Sequence, residues 1–375
     1  MHIYRHFTLN NTAPVGAKNM IVHNIAGTPI LRFPLRTLDS GLSEADRLYR
    51  FSAVSDVHIT YQTANSDFAN ALKYVENSDC KFTCICGDLT SNGNDAQMNE
   101  YKGIVDANAK TKPVYAVAGN HETIWGYMTF DRTIPYTGKP LFYSLGMNSE
   151  GECVKSDENK TPIAYGDDVK DVFIMLGHYG ADHSGGNGDW RSYEFVSVEE
   201  LQWLYETLEK NRNKRCFIFN HVYPYQDKVG DANRLYGKVY WNTSDGNVGQ
   251  AFISLLKHYK NTILFHGHTH IRFWLQQVDR LANYSSEPGY RSVHIPSLSV
   301  PRDHAQSGSL AYVYAESEGY LIDAYEDCII LNGFDFINND KDNNQLIPIA
   351  VYKVDTKIVD VPEKSFKDST GLISI

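Results

Sequence analysis

An α/β fold with helix-covered sheets is predicted by three features of this 375-residue chain. Apolar strand runs alternate with helix patterns from Tyr49 onward. Hydrophobic residues make up 42% of the sequence, enough core for one large domain or two ordinary ones. The aromatic content of 13%, with 25 tyrosines, belongs to a folded globule.

The elements follow in order. Residues 1–47 carry the strand-like pieces "NMIVHNI" and "PILRFPLR", with Gly27, Thr28 and Pro29 between them as a turn signal. They are read as a small N-terminal β extension ahead of a main domain over 48–361. "YRFSAV" opens that domain as a strand, and "SDFANALKYVENS" follows as a helix with Phe68, Leu72 and Val75 on one face. "KFTCIC" leads to a helix over "NDAQMNEYKGIVDAN", with Met98, Tyr101 and Ile104 or Val105 in register. The strands "PVYAVAG" and "DVFIML" come next. Ser197 and Glu200 form a capping box at the head of "SVEELQWLYETLEKN", where Leu201, Leu204 and Leu208 make an apolar stripe. "CFIFN", the helix "NVGQAFISLLKHY" and the strand opening "NTILFHGHTHIRFW" complete the alternation. After about residue 290 the runs "RSVHIPSLSV", "LAYVYAES", "EGYLIDAYE", "DCIILNGFDF" and "PIAVYKVD" read as antiparallel meander strands. A polar tail occupies 362–375.

Composition narrows the function classes. The net charge of −10 and pI near 5.8 give an acidic surface, which repels phosphate backbones and disfavours extended nucleic acid as a partner. Cys80, Cys84, Cys86, Cys153, Cys216 and Cys328 match neither a zinc spacing nor a disulfide framework. They fit a reducing compartment. The opening "MHIYRHFTLNNTAP" lacks the apolar core of a signal peptide, and no run approaches the roughly 20 apolar residues of a membrane span. The expectation is a cytoplasmic protein with no membrane partner.

The chemistry lies where the strands end. "RFSAVSDVH" ends at Asp56 and His58, "FTCICGDL" at Asp88, and "VYAVAGNHE" at Asn120, His121 and Glu122. "CFIFNH" ends at His221 and "ILFHGHTH" at His268 and His270. Ligands of α/β sheets bind outside the carboxyl ends of the strands. Gly87, Gly119 and Gly267 allow sharp turns or close backbone approach there. Taken singly, "SDVH" and "GD" are ordinary turns, "GNHE" is a helix cap, and His221 is a structural histidine. Five such strand ends together point to a metal site. His266, His268 and His270 also share one face if the strand continues. A bend at Gly267 would turn His266 away into a supporting role.

In the order "DVH…GD…GNHE…H…GHTH", these residues resemble the calcineurin-like metallophosphoesterase family over about residues 50–270. The resemblance implies a four-layer α/β/β/α sandwich, two facing mixed sheets flanked by helices. It implies two divalent transition-metal ions (Mn, Fe or Zn) about 3.5 Å apart. By the same resemblance Asp56, His58 and His270 hold one ion, Asn120, His221 and His268 hold the other, and Asp88 bridges them. A water between two such ions is largely hydroxide at neutral pH and attacks phosphorus in line. His121 matches the family's non-ligand histidine and protonates the leaving oxygen. Glu122 either orients that region or is a simple helix-start carboxylate. The implied activity is phosphoester hydrolysis, as a phosphodiesterase or phosphatase on a small or mid-sized substrate. The alternatives are a nuclease of the same family, which the acidic charge weakens, and a non-catalytic binding module, which the complete set of ligand-type residues argues against. The series departs from purple acid phosphatases: His58 is present, and Leu89 and Thr90 follow Asp88 where those enzymes have a tyrosine ligand.

Specificity is expected in loops. Trp125, Tyr127, His183, Tyr236 and Trp241 either wall a substrate pocket or pack within their own loops. Arg302 and His304 in "SVPRDH" either reach the phosphate or remain surface residues.

Overall fold

The computed structural model of the protein describes side chains for residues 42–122, 140–177, 196–222, 251–273, 290–302, 316–337 and 351–357. It describes backbone also for 20–23, 29–33, 123, 133–134, 139, 248–250, 284–285, 303–304, 310–312 and 350. Trp125, Tyr127, His183, Tyr236, Trp241 and the tail from 362 lie outside the described residues, and His304 is described in backbone only.

Two large sheets face each other. In chain order their strands are β1 (Tyr49–Val54), β2 (Cys80–Cys86), β3 (Val114–Val117), β4 (Phe142–Met147), β5 (Cys153–Asp157), β6 (Asp171–Leu176) and β7 (Arg215–Asn220). Then follow β8 (Thr262–His266), β9 (Tyr284–Ser285), β10 (Arg291–His294), β11 (Glu318–Ala324), β12 (Cys328–Asp335) and β13 (Ala350–Asp355). A six-stranded sheet has the order β13-β12-β11-β1-β2-β3, and a seven-stranded sheet the order β9-β10-β8-β7-β6-β4-β5. Both are mixed. β1, β2 and β3 run parallel, as do β6, β7, β8 and β10. The remaining pairings are antiparallel. In the N-terminal region, Met20–His23 pairs with Pro29–Phe33 as a separate ribbon.

Alternation along each strand builds the layers. Tyr49, Phe51 and Ala53 of β1, Phe82 and Cys84 of β2, and Phe217 and Phe219 of β7 belong to the core between the sheets. Phe51 stacks on Phe82 at 5.2 Å within its own sheet and meets Phe173 of the other sheet edge-on, also at 5.2 Å. The intervening residues Val54, Ile85, Ile174, Ile218 and Leu264 join the cluster that includes the helices. Both faces of the central strands are therefore buried, which explains their continuous apolar runs.

The helices are α1 (Ala64–Glu76), α2 (Asp95–Asn108), the single turn α3 (Asn120–Thr123), α4 (Val198–Lys210) and α5 (Val248–His258). Helix α1 buries Phe68, Leu72 and Val75, the face its spacing predicts. Helix α4 starts at the capping box, in which Ser197 accepts from Glu200 N and Glu200 accepts from Ser197 N. Its Trp203 packs 5.1 Å from Phe142 of β4 and donates to Asp157. The result is the four-layer α/β/β/α sandwich. Among the described residues no helix is long and apolar enough to cross a membrane.

The "RSVHIPSLSV" strand is shorter than its pattern predicts. β10 stops at His294, because Pro296 has no N–H for a ladder. Residues 295–300 cross the sheet ends instead.

At the opposite end of the strands, a buried arginine ties the sheets together. Arg215 begins β7 and pairs with both carboxylate oxygens of Asp171, the first residue of β6, at 2.7 and 2.8 Å. Tyr49, the first residue of β1 in the other sheet, donates to the same carboxylate at 2.5 Å. Arg215 Nη1 donates to Tyr325 O and Thr356 Oγ1, also from the six-stranded side. Removing one partner leaves an uncompensated buried charge. Arg215→Ala is expected to lower stability by about 3–5 kcal/mol in urea denaturation. A loss below about 1 kcal/mol, the range of surface pairs, would contradict a clamping role.

Candidate metal centre

Strand ends of both sheets deliver the site. Asp56 and His58 follow β1, Asp88 follows β2, and Asn120 and His121 open α3 after β3. His221 follows β7, while His268 and His270 follow β8. All these side chains meet at one place between the sheets. Ligand atoms of Asp56, His58, Asp88 and His270 lie within 4.8 Å of one another, as do those of Asp88, His221 and His268. Asp88 belongs to both groups. Asn120 joins the second, its Oδ1 standing 2.9 Å from His268 Nδ1.

Each carboxylate commits one oxygen to the backbone and presents the other. Asp88 Oδ1 accepts from His121 N at 2.9 Å, while Oδ2 faces His221 Nε2 at 3.1 Å and His58 Nε2 at 3.6 Å. Asp56 Oδ2 accepts from His268 N at 3.0 Å, while Oδ1 faces His270 Nε2 at 2.9 Å. The histidines follow the same rule. His221 Nδ1 lies 2.6 Å from Cys86 O and His270 Nδ1 lies 3.1 Å from Val300 O. A carbonyl only accepts, so both Nδ1 atoms carry a proton and both Nε2 atoms are turned toward the site.

A test of fit comes from buried atoms. Asp56 Oδ1 and His221 Nε2 are fully buried and face other ligand-type atoms, His270 Nε2 at 2.9 Å and Asp88 Oδ2 at 3.1 Å. Around them stand other would-be ligands. His58 Nε2 and His270 Nε2 are 3.1 Å apart. Donors about 2.1 Å from one ion and at right angles stand about 3 Å apart, so these spacings suit shared cations. The donor set of imidazole nitrogens with carboxylate and amide oxygens suits Mn, Fe or Zn better than magnesium.

The backbone is bent to reach this arrangement. Asp56, His58, Asp88, His268 and His270 have φ values of 52°, 50°, 50°, 71° and 60°, five of the eight positive-φ non-glycine residues described. The left-handed region costs such residues roughly 1–3 kcal/mol each and marks functional sites. The glycines act by close approach. A Cβ on Gly87 would meet the His221 ring, one on Gly119 would overlap the backbone and carboxylate of Asp88, and one on Gly267 would overlap Ser55 and Asp56.

The three histidines do not share one strand face, and His266 is turned away as a bend at Gly267 allows. β8 ends at His266, and the left-handed turns at His268 and His270, not a continuing strand, aim those rings at the site. His266 is buried outside both ligand groups and is paired in the ladder with His294, their rings 5.4 Å apart. Glu122 is more than a helix-start carboxylate. It is fully buried, accepts from Thr90 N and Oγ1 at 2.9 Å each, and accepts from Gly119 N at 2.9 Å. It thereby ties the turn after Asp88 to the turn before Asn120. Burial, with the Asp88 charge, pushes its pKa up.

His121 is more exposed than five of the seven ligand-type residues. Its side chain is 30% exposed, against 7% or less for Asp56, His58, Asp88, His221 and His270. Its Nδ1 contacts Ser91 O at 2.5 Å, so Nε2 faces the site, 3.9 Å from Asp88 Oδ2.

The charges are coupled. Burial alone would raise the Asp56 pKa, but the His270 and His221 imidazoles hold it below the usual carboxylate range. Burial acts likewise on Asp88, and His221 and His121 hold it well below. Burial would lower His221, yet Asp88 and Asp56 lift it to about 9. His270 is raised against burial by Asp56. Burial pushes His58 well below its ordinary value and His268 down to about 4.

The calcineurin-like phosphoesterase family model matches residues 49–272, and the chain belongs to that family. No curated protein matches the chain significantly. Among solved structures, a dimetal phosphatase from Danio rerio is 13% identical, with 81% of this chain and 100% of that one covered and a TM-score of 0.48. GAP50, the anchor in the inner membrane complex of Plasmodium, is 12% identical over 82% and 89%, with a TM-score of 0.49. The purple acid phosphatase PPD1 from yellow lupin seeds is 14% identical over 84% and 55%, with a TM-score of 0.46.

A proton on His221 competes with any cation. Affinity for a divalent ion is therefore expected to rise with pH, by at least about tenfold per unit below about 9, because His270 is raised as well. Titration calorimetry at pH 7 in buffers of different ionisation enthalpy should read release of at least about one proton. Binding with no proton release contradicts this electrostatic description.

Proposed function

We propose that the chain hydrolyses a small or mid-sized phosphoester at a binuclear metal centre. Asp56, His58 and His270 would hold one ion and Asn120, His221 and His268 the other, with Asp88 shared between them. The observation that carries this reading is the membership of Asp88 in both ligand groups, with its Oδ2 turned toward a histidine of each. When bound, two such cations supply Lewis acidity to the phosphoryl oxygens and lower the pKa of the attacking water.

The remaining work falls to the chain's own groups. His121 is the proton donor. With Nδ1–H committed to Ser91 O, the proton that goes to the leaving oxygen is the second one of the imidazolium form, carried on Nε2, and His121 is left as the neutral Nδ1–H tautomer. Its 30% exposed side chain supports this role, since substrate must reach it. Glu122 keeps the Asp88 and Asn120 turns at fixed separation, so His121 and the bridging carboxylate move as one unit. The net charge of −10 supports a compact substrate over an extended polyanion. A reducing, cytoplasmic compartment fits the six free cysteines, all but Cys153 of which are buried.

Metal-stripped protein reloaded with Mn, Zn or Mg and tested on model mono- and diesters should show turnover that depends on the added ion. His121→Ala should keep its metal content and lose about 10²–10⁴-fold in turnover. The loss should shrink for nitrophenyl esters, whose leaving groups need little protonation. Equal slowing of activated and unactivated esters, or collapse of metal binding, would remove His121 from the donor role.

A further inference from the structure

We propose that residues 294–302, which supply no ligand, form a strap that holds the two halves of the metal centre together, with Ser297 and Ser299 as positioning residues. The inference rests on the metal-centre reading above. Asp56 and His58 follow a strand of the six-stranded sheet, whereas His268 and His270 follow a strand of the seven-stranded sheet. Asp56 and His270 must nonetheless come within 2.9 Å of each other. Two facing sheets share no backbone ladder; Asp56 Oδ2 reaches His268 N at 3.0 Å, and residues 294–302 brace both turns around that bond.

The strap touches both halves. Toward the Asp56 loop, Ser297 Oγ donates to Asp56 O at 2.9 Å and Ser299 Oγ donates to Val57 O at 2.5 Å. Leu298 N adds a bond to Ser55 O at 2.9 Å. Toward the His270 turn, Val300 O accepts from His270 Nδ1 at 3.1 Å and Arg302 N donates to His270 O at 2.8 Å. His294 Nε2 meets Thr269 Oγ1, between the two histidines, at 2.7 Å.

The chemistry explains why hydroxyls are used. Pro296 and Pro301 bring no N–H, so this stretch cannot continue a ladder across the gap. Serine hydroxyls take over as donors to the carbonyls beside Asp56. Ser297 and Ser299 are fully buried, so water does not replace them. Ser297 Oγ also accepts from Val300 N at 2.9 Å, which links the Asp56 contact to the residue that holds His270. Asp56 and His58 sit in left-handed backbone, a conformation that persists only when its surroundings impose it. Loss of a strap hydroxyl lets that loop relax and displaces Asp56 and His58 most, while His221 keeps its bond to Cys86 O and His268 loses at most the Asp56 carboxylate that holds its N–H.

The test is Zn(II) titration of metal-stripped protein by calorimetry, with metal-free melting followed in parallel. Ser297→Ala and Ser299→Ala, made separately, should weaken one of the two binding steps by about 10–100-fold, the usual effect of losing a group that orients a ligand. The other step should weaken clearly less, and the metal-free melting temperature should fall by only the few degrees that one lost buried hydrogen bond implies. Ser299→Thr, which keeps the hydroxyl, should restore the weakened step. Two unchanged steps in both alanine variants would overturn the strap, as would equal weakening of both steps. If the unaltered protein itself bound no Zn(II), the metal-centre reading would fall first and the strap with it.

Discussion

Asp56 and Asp88 are buried beside each other, and their charge has to be met where water cannot reach. An isolated carboxylate in such a place costs several kcal/mol and normally takes up a proton instead. Here imidazoles hold both in the anionic form, and one oxygen of each is fixed by a backbone N–H. The surrounding histidines are in turn fixed through Nδ1 by the carbonyls of Cys86 and Val300. What remains is a cluster of carboxylate oxygens facing imidazole nitrogens, His221 with Asp88 at 3.1 Å and His270 with Asp56 at 2.9 Å. Protons or cations can meet that charge, and the rest of the architecture can be understood as the means of bringing these groups to one point.

That requirement falls on two separate sheets. The Phe-rich layer between them sets their spacing, and the Arg215–Asp171–Tyr49 cluster pins their far ends. At the near ends, the chain turns sharply just after each strand. Five of the ligand-type residues accept left-handed backbone, and Gly87, Gly119 and Gly267 leave room for neighbouring groups to pass. The strain is tolerable because each turn is tied to another. Glu122 joins the Asp88 and Asn120 turns, and residues 294–302 join the Asp56 and His270 turns.

The convergence of Asp56, His58, Asp88, Asn120, His221, His268 and His270 was legible because ligand-type residues closed successive strand patterns, often beside a glycine. The alternation of strands and helices likewise announced the layers. The route by which His268 and His270 arrive was not legible. Period-two spacing put them on a strand face with His266, whereas the strand stops and two left-handed residues redirect the chain. Nothing in a local window reports a positive φ at a histidine. Ser297 and Ser299 escaped for a related reason. Their pattern resembles an alternating strand, and their hydroxyls act on carbonyls more than 200 residues away in sequence. Arg215 opens a strand like any charged edge residue, and only the fold reveals that it is buried against the other sheet. Glu122 was readable as a carboxylate near a helix start, but its two anchoring partners could not be chosen from sequence.

The central claim is that Asp88 serves two cations at once. Anomalous scattering from crystals of Mn- or Zn-loaded protein tests it directly. The account predicts two peaks, with the Asp88 carboxylate within about 2.0–2.3 Å of both. One set of neighbours should be Asp56, His58 and His270, and the other Asn120, His221 and His268. A single peak, or two peaks of which only one touches Asp88, would contradict it.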